Sequence, residues 1–206
     1  MQKNQQTEKD KKIMSLRKLA KALGEKRGKD KTLVLVTGCF DILHSGHFKL
    51  FSFARKYCDV LIVGVEHDKT ILNSKGEGRP VHNQRKRMED LSEVGEVDFV
   101  FPIAFVTTFG EKNVASLYLP ILKKIKPNFL ATNISADKYW REKEKIIRNM
   151  GIRLLKQGKK EPVSTTEILK NLKAPGPEQR RIRQLEARAL KRLRHPRNAR
   201  LLKDFS

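Results

Sequence analysis

The sequence predicts an α/β domain built on a parallel sheet, and three observations lead there. The runs Leu33 to Val36 and Asp59 to Val65 (D-V-L-I-V-G-V) are short, nearly continuous in apolar character and rich in β-branched residues. Strands of a sheet covered on both faces read this way. The first run feeds a glycine-bearing turn and then a helical pattern, with His44 and His47 three apart around Gly46. Helical spacings alternate with the apolar runs along the chain, as in successive βαβ units.

Ile13, Leu16, Leu19, Ala20 and Leu23 form a helical stripe that Gly24 and Gly28 are expected to end. The first strand starts at Leu33 and delivers T-G-C-F-D-I-L-H-S-G-H. A helix is expected over Phe48 to Tyr57, with the Phe48 and Phe51 rings in the core. A turn at this junction is an anion site, because the first N–H groups of the helix and its dipole point into it. His44 and His47, at i and i+3, face the same way, and imidazole donors suit the charge that builds on a phosphoryl group during displacement. Lys49, in the first helical turn, is a further phosphate candidate. The plainer reading is a histidine cap beside a turn glycine. A zinc site lacks a third ligand at sensible spacing.

The second strand, Asp59 to Val65, leaves into a charged, glycine-rich loop, Glu66 to Pro80. Ligands of open α/β sheets sit beyond the carboxyl ends of strands, so lysines of that loop can reach the histidines. Gly78-Arg79-Pro80-Val81 precedes a helix expected over Asn83 to Val94, and Val97 to Phe101 is a third strand. A helix over Glu111 to Lys126 is expected to kink or split at Pro120, and Pro127 breaks it. Asn128 to Thr132 is the fourth strand, Asp137 to Met150 a helix and Ile152 to Leu155 the fifth strand. Ser164 and Glu167 form a capping box for a further helix, and Ala174-Pro175-Gly176-Pro177 breaks the chain before a short basic amphipathic helix.

Together these motifs resemble the cytidylyltransferase-like nucleotidyltransferases, the group that includes glycerol-3-phosphate cytidylyltransferase and the nucleotidyl-transfer domain of ADP-heptose synthase. The resemblance covers about Lys31 to Leu172. It implies a Rossmann-like fold with strand order 3-2-1-4-5. It also implies attack of a substrate phosphate on the α-phosphorus of CTP or ATP, with pyrophosphate released and Mg²⁺ assisting. Carried over residue by residue, it implies catalytic roles for His44 and His47. Lys75 and Arg87 would hold the triphosphate. Thr37, Gly38, Cys39, Phe40, Asp41, Gly46 and Lys69 would bind nucleotide, as would Ser164, Thr165 and Thr166 at a second helix start. Asp41 is expected to order the turn or meet a metal indirectly; no residue is assigned as a metal ligand. Asp68 resembles the acidic residue beyond the second strand. The chain departs from the family where a glycine-aspartate string is expected, having Ala131-Thr132-Asn133-Ile134-Ser135-Ala136-Asp137 instead. Asn133 and Asp137 are the stand-ins for acceptor contacts, and the acceptor specificity of other members is not carried over.

At 206 residues the chain reads as a basic extension with a short helix (1–30), a nucleotidyltransferase domain (31–172) and a basic tail (173–206). The formal charge is +22, with +7 in residues 1–31 and +8 in residues 173–206. Basic ends attract nucleic acid, so the alternative is a non-catalytic nucleotide-binding protein of the same fold acting with nucleic acid. No apolar run approaches the length of a membrane span. Cys39 and Cys58 form no C-x-x-C pair, and a reducing, cytoplasmic setting without a signal peptide is expected. Family members commonly dimerise, so a homodimer is expected from the resemblance.

Overall fold

The computed structural model describes residues 11–26, 31–109 and 114–158. Five strands form one sheet: β1 (Leu33–Gly38), β2 (Val60–Val65), β3 (Phe99–Pro102), β4 (Phe129–Asn133) and β5 (Arg153–Gln157). Their order is β3-β2-β1-β4-β5 and every pairing is parallel. The helices are α1 (Leu16–Lys26), α2 (Ser45–Arg55), α3 (Asp68–Lys75), α4 (Gln84–Ser92), α5 (Leu119–Ile125) and α6 (Trp140–Arg148), with a 3₁₀ turn over Val114–Tyr118. The chain runs outward from β1 to β3, then returns to place β4 on the other side of β1. That reversal opens a crevice beyond the carboxyl ends of β1 and β4.

Strand parity explains the two cores. Leu33, Leu35, Ile62, Phe101 and Leu130 point to one face, where Leu19, Ile121, Leu122, Ile125 and Ile147 cover them. Val34, Val36, Leu61, Val63, Val100 and Ala131 point to the other, against Leu50, Phe51, Ala54 and Leu91. Both faces are dry, so the strands read as apolar runs rather than alternating ones. Gly64 lies where the Phe101 ring crosses β2; a Cβ there would sit 2.8 Å from Cζ.

Several boundaries differ from expectation. The helix expected over Ile13 to Leu23 starts at Leu16 and runs through Gly24, with the Ser15 hydroxyl capping the Lys18 amide at 3.3 Å. Ile13 is extended instead, bridging Val100 beyond the β3 edge. The helix after β1 begins at Ser45, not Phe48, because His44 caps it. Phe51 is buried but Phe48 is 43% exposed, since the buried stripe of this helix runs through Gly46, Leu50, Phe51 and Ala54 and leaves Phe48 at its flank. The stretch expected as the loop Glu66 to Pro80 contains α3, capped by His67. Pro120 sits in the first turn of α5, where a missing N–H costs nothing. Its predecessor residues 114–118 take the tighter 3₁₀ form. The helix expected over Asp137 to Met150 starts only at Trp140, because Asp137 Oδ1 accepts the Tyr139 N–H and spends those residues on a turn.

Candidate active site

Gly38 and Val65 pair in register, so Cys39 and Glu66 leave the sheet side by side, tied by a bond from the Glu66 N–H to the Gly38 carbonyl at 3.0 Å. Phe40 then takes φ +49°, turning its ring back over Gly38, where a Cβ would meet Cζ at 2.9 Å. A left-handed turn on a bulky residue costs energy and is held here by packing, since the Phe40 ring also meets Phe51 at 5.5 Å. Its edge meets the His47 ring at a centroid distance of 5.2 Å.

His44 is the N-cap of α2. Its Nδ1 accepts the Gly46 N–H at 3.2 Å, which leaves Nε2 to carry the proton of the neutral ring. The His44 and His47 rings stack with centroids 3.8 Å apart and planes 28° from parallel. The cap and the convergent pair are therefore one arrangement, not alternatives. Burial pushes the His47 imidazole down to about 3, with the neighbouring His44 and then Lys75 adding to the fall. At neutral pH it is an uncharged ring, and its buried Nδ1 has no hydrogen-bond partner. Lys75, in the last turn of α3, also lowers the Cys39 thiol, against the larger upward push of burial. So α3 brings the Lys75 charge within reach of the histidine turn. Lys69 lies exposed in the first turn of the same helix, its amide capped by His67 Nδ1, and Lys49 is exposed on α2.

Two buried side chains hold the loops around this turn. The Asp41 carboxylate is fully covered; it accepts Arg79 Nε at 2.6 Å and the amides of Val81 and His82 at 2.7 and 3.1 Å. It ties the G-R-P-V turn to the end of β1. Arg87 departs from expectation. Its guanidinium has no exposed surface and donates to the carbonyls of Cys39, Glu66 (2.7 Å) and His82 (3.0 Å), and to Asp68 Oδ1 (2.7 Å). Four of its five N–H groups are spent on the protein, so it braces three loops instead of gripping a triphosphate. Asp68 is correspondingly the ionic partner of Arg87.

Asn133 and Asp137 end β4 in a turn. Asn133 Nδ2 donates to Gln157 and its Oδ1 accepts the Ser135 amide. Asp137 Oδ2 accepts from Thr132 Oγ1 at 2.8 Å and Lys143 Nζ at 2.7 Å. Burial opposes its charge, yet Lys143 and these bonds hold its carboxyl below the usual range. Trp140 packs between the Arg141 and Lys156 cations, 4.5 and 4.7 Å from the ring centre. Ser164, Thr165, Thr166 and the basic tail (173–206) lie outside the described residues.

Sequence reasoning missed Glu66, Tyr118, Lys143 and Arg79. A carboxylate directly after a buried strand was a legible signal for Glu66. Tyr118 carries none, because only the return of the chain after β3 brings it near β2. The Tyr118 O–H donates to Glu66 Oε1 at 2.6 Å.

A family model described as cytidylyltransferase-like matches residues 35–171. The bifunctional protein HldE of Desulfatibacillum aliphaticivorans is 32% identical over 164 residues, covering 79% of this chain and 31% of that protein. HldE of Shewanella sediminis is 35% identical over 156 residues, with 76% and 31% covered. The chain thus spans about a third of the length of these curated relatives. Among solved structures, the lipopolysaccharide core biosynthesis protein of Thermoplasma volcanium matches with a TM-score of 0.50 at 24% identity, over 64% of this chain and all of that one. Pantoate-beta-alanine ligase of Francisella tularensis matches with a TM-score of 0.54 at 16% identity, over 76% and 75%. These two likenesses show the fold alone.

Proposed function

The chain belongs to the cytidylyltransferase-like family, and on that premise we propose that it transfers CMP or AMP from an NTP to a phosphorylated small molecule, a sugar or polyol phosphate, releasing pyrophosphate. The observation that carries the reading is the stacked His44–His47 pair that opens α2, within reach of the Lys75 charge. The triphosphate lies on that turn. An oxygen of the acceptor phosphate attacks the α-phosphorus, the bond to the α–β bridging oxygen breaks, and its electrons leave with pyrophosphate. Neutral imidazole N–H groups and the α2 dipole stabilise the charge on the α-phosphoryl oxygens, and Lys75 supports the leaving group. The nucleophile is already ionised near pH 7, so no general base is needed.

Among the described residues no group of three His, Cys, Asp or Glu side chains is placed to hold a metal ion, and Asp41 is spent on Arg79 and two amides. The Mg²⁺ that the resemblance implies would be held chiefly by the substrate phosphates. A divalent cation of this kind travels on substrate phosphates and keeps most of its waters.

The test is a pyrophosphate-release screen of CTP and ATP against sugar, polyol and cofactor phosphates. Release that depends on one NTP and one acceptor class is the expected result. No release with any pair, together with salt-dependent RNA binding lost on deleting residues 173–206, overturns it in favour of a nucleic-acid-binding role.

A further inference from the structure

The carboxyl end of β2 carries a buried acid that neither the phosphate chemistry nor the loop bracing uses. Glu66 is 2% exposed. Its backbone is fixed on both sides, the N–H by the Gly38 carbonyl and the carbonyl by Arg87. One carboxyl oxygen accepts the Tyr118 hydroxyl at 2.6 Å, while the other, Oε2, is buried with no hydrogen-bond partner. Burying a carboxyl with one oxygen unsatisfied is costly, and a fold keeps such a group where a ligand completes it.

The surroundings indicate which ligand. Glu66 leaves the sheet beside Cys39, the residue that opens the histidine turn. Burial pushes its carboxyl up, against the Tyr118 hydrogen bond and the charges of Lys143 and Arg87. The Asp137–Lys143 pair and Thr132 at the end of β4 stand around the same switch point. The crevice rimmed by Thr37, Tyr118 and Lys143 on the sheet face beneath is only about 20 Å³, room for a single water. A substrate therefore does not enter that face; the space left to it lies above the strand ends, on the side of Cys39 and the histidine turn. The group next to the reacting phosphate of a sugar or polyol phosphate is a hydroxylated carbon.

Resting on the transferase reading above, we propose that Glu66, held by Tyr118, is the specificity residue for a hydroxyl of the acceptor, its Oε2 pairing with that hydroxyl beside the phosphate being adenylylated or cytidylylated. Glu66 touches the acceptor; Tyr118 is a positioning residue that sets the carboxyl plane. A site built to hydrogen-bond a hydroxyl discriminates strongly against an analogue that lacks it, because its buried polar group is then left unpaired.

The experiment uses the full chain, the NTP it prefers, and glycerol 3-phosphate, ribose 5-phosphate, glucose 1-phosphate and mannose 1-phosphate with their single-deoxy analogues. The wild type is expected to lose at least about 10²-fold in kcat/KM on one deoxy analogue of its best acceptor. In Glu66→Gln that penalty shrinks to within about threefold, acceptor KM rises at least about tenfold, and NTP KM stays put. Tyr118→Phe follows in the same direction by a smaller factor, and it carries the test if Glu66→Gln fails to fold in a thermal melt. Deoxy penalties unchanged in both variants, or a rise in NTP KM in place of acceptor KM, overturn the assignment while leaving the transferase reading intact. Pyrophosphate release with no acceptor at all in the wild type overturns both.

Discussion

Replacing Arg87 separates bracing from phosphate binding. The guanidinium reaches three loops at once: Cys39 after β1, Glu66 after β2 and His82 before α4, with Asp68 as its counter-ion. Hydrogen bonds from a charged donor are worth about 1.5–3 kcal/mol each, but bonds to one group do not add. Removing one partner of a buried ion pair costs about 3–5 kcal/mol. Arg87→Ala should therefore lower the unfolding free energy by about 3–5 kcal/mol, and Arg87→Lys by about half that, because a single ammonium cannot span three carbonyls. Urea unfolding followed by Trp140 fluorescence reads the loss. NTP affinity should weaken only as the loops loosen, and stabilising co-solvents that restore the fold should restore it. If Arg87→Ala lost less than about 1 kcal/mol while NTP affinity fell by about 10², the side chain would be gripping phosphate and the bracing argument would be refuted.

Three further outcomes test the same site. His47→Ala should cost about 10² or more in kcat with folding unchanged by circular dichroism; intact NTP turnover would remove the ring from the reaction. His47 sits near 3 in the fold against 6.5 in an unfolded chain, so the unfolded state binds its proton first as pH falls. Stability is then full above about 6.5 and drains away between there and about 3; from pH 7 to pH 5 the wild type should lose about 2 kcal/mol more than His47→Gln in parallel denaturant titrations. Parallel pH curves would contradict the buried neutral ring. Lys75→Met should raise the His47 titration point, read by NMR of the ring protons, and raise NTP KM about tenfold. An unmoved titration would mean that Lys75 does not face the pair.

Much of this was legible in one dimension because its cause is local. Two-sided burial makes strands apolar throughout, and the turn after Leu33 to Val36 combined a glycine, a cap and two histidines within eleven residues. Such features depend on backbone sterics and on neighbours three or four residues away, which a sequence displays directly. The strand order followed from family resemblance rather than from periodicity, since every buried parallel strand carries much the same pattern.

Long-range geometry was not legible. Arg87 read as a phosphate ligand, because an arginine after R-P-V offers the same fork to a phosphate or to a cage of carbonyls. Only the convergence of three loops, 21 and 48 residues away along the chain for the Glu66 and Cys39 carbonyls, assigns it to the cage. The Glu66–Tyr118 bond spans 52 residues. The sequence by itself determined the parallel sheet, the histidine turn and the family, because short-range spacing and burial pattern encode them. The tertiary structure alone decided which charges are spent inside the protein, because a buried donor is assigned by whichever acceptor folding brings to it.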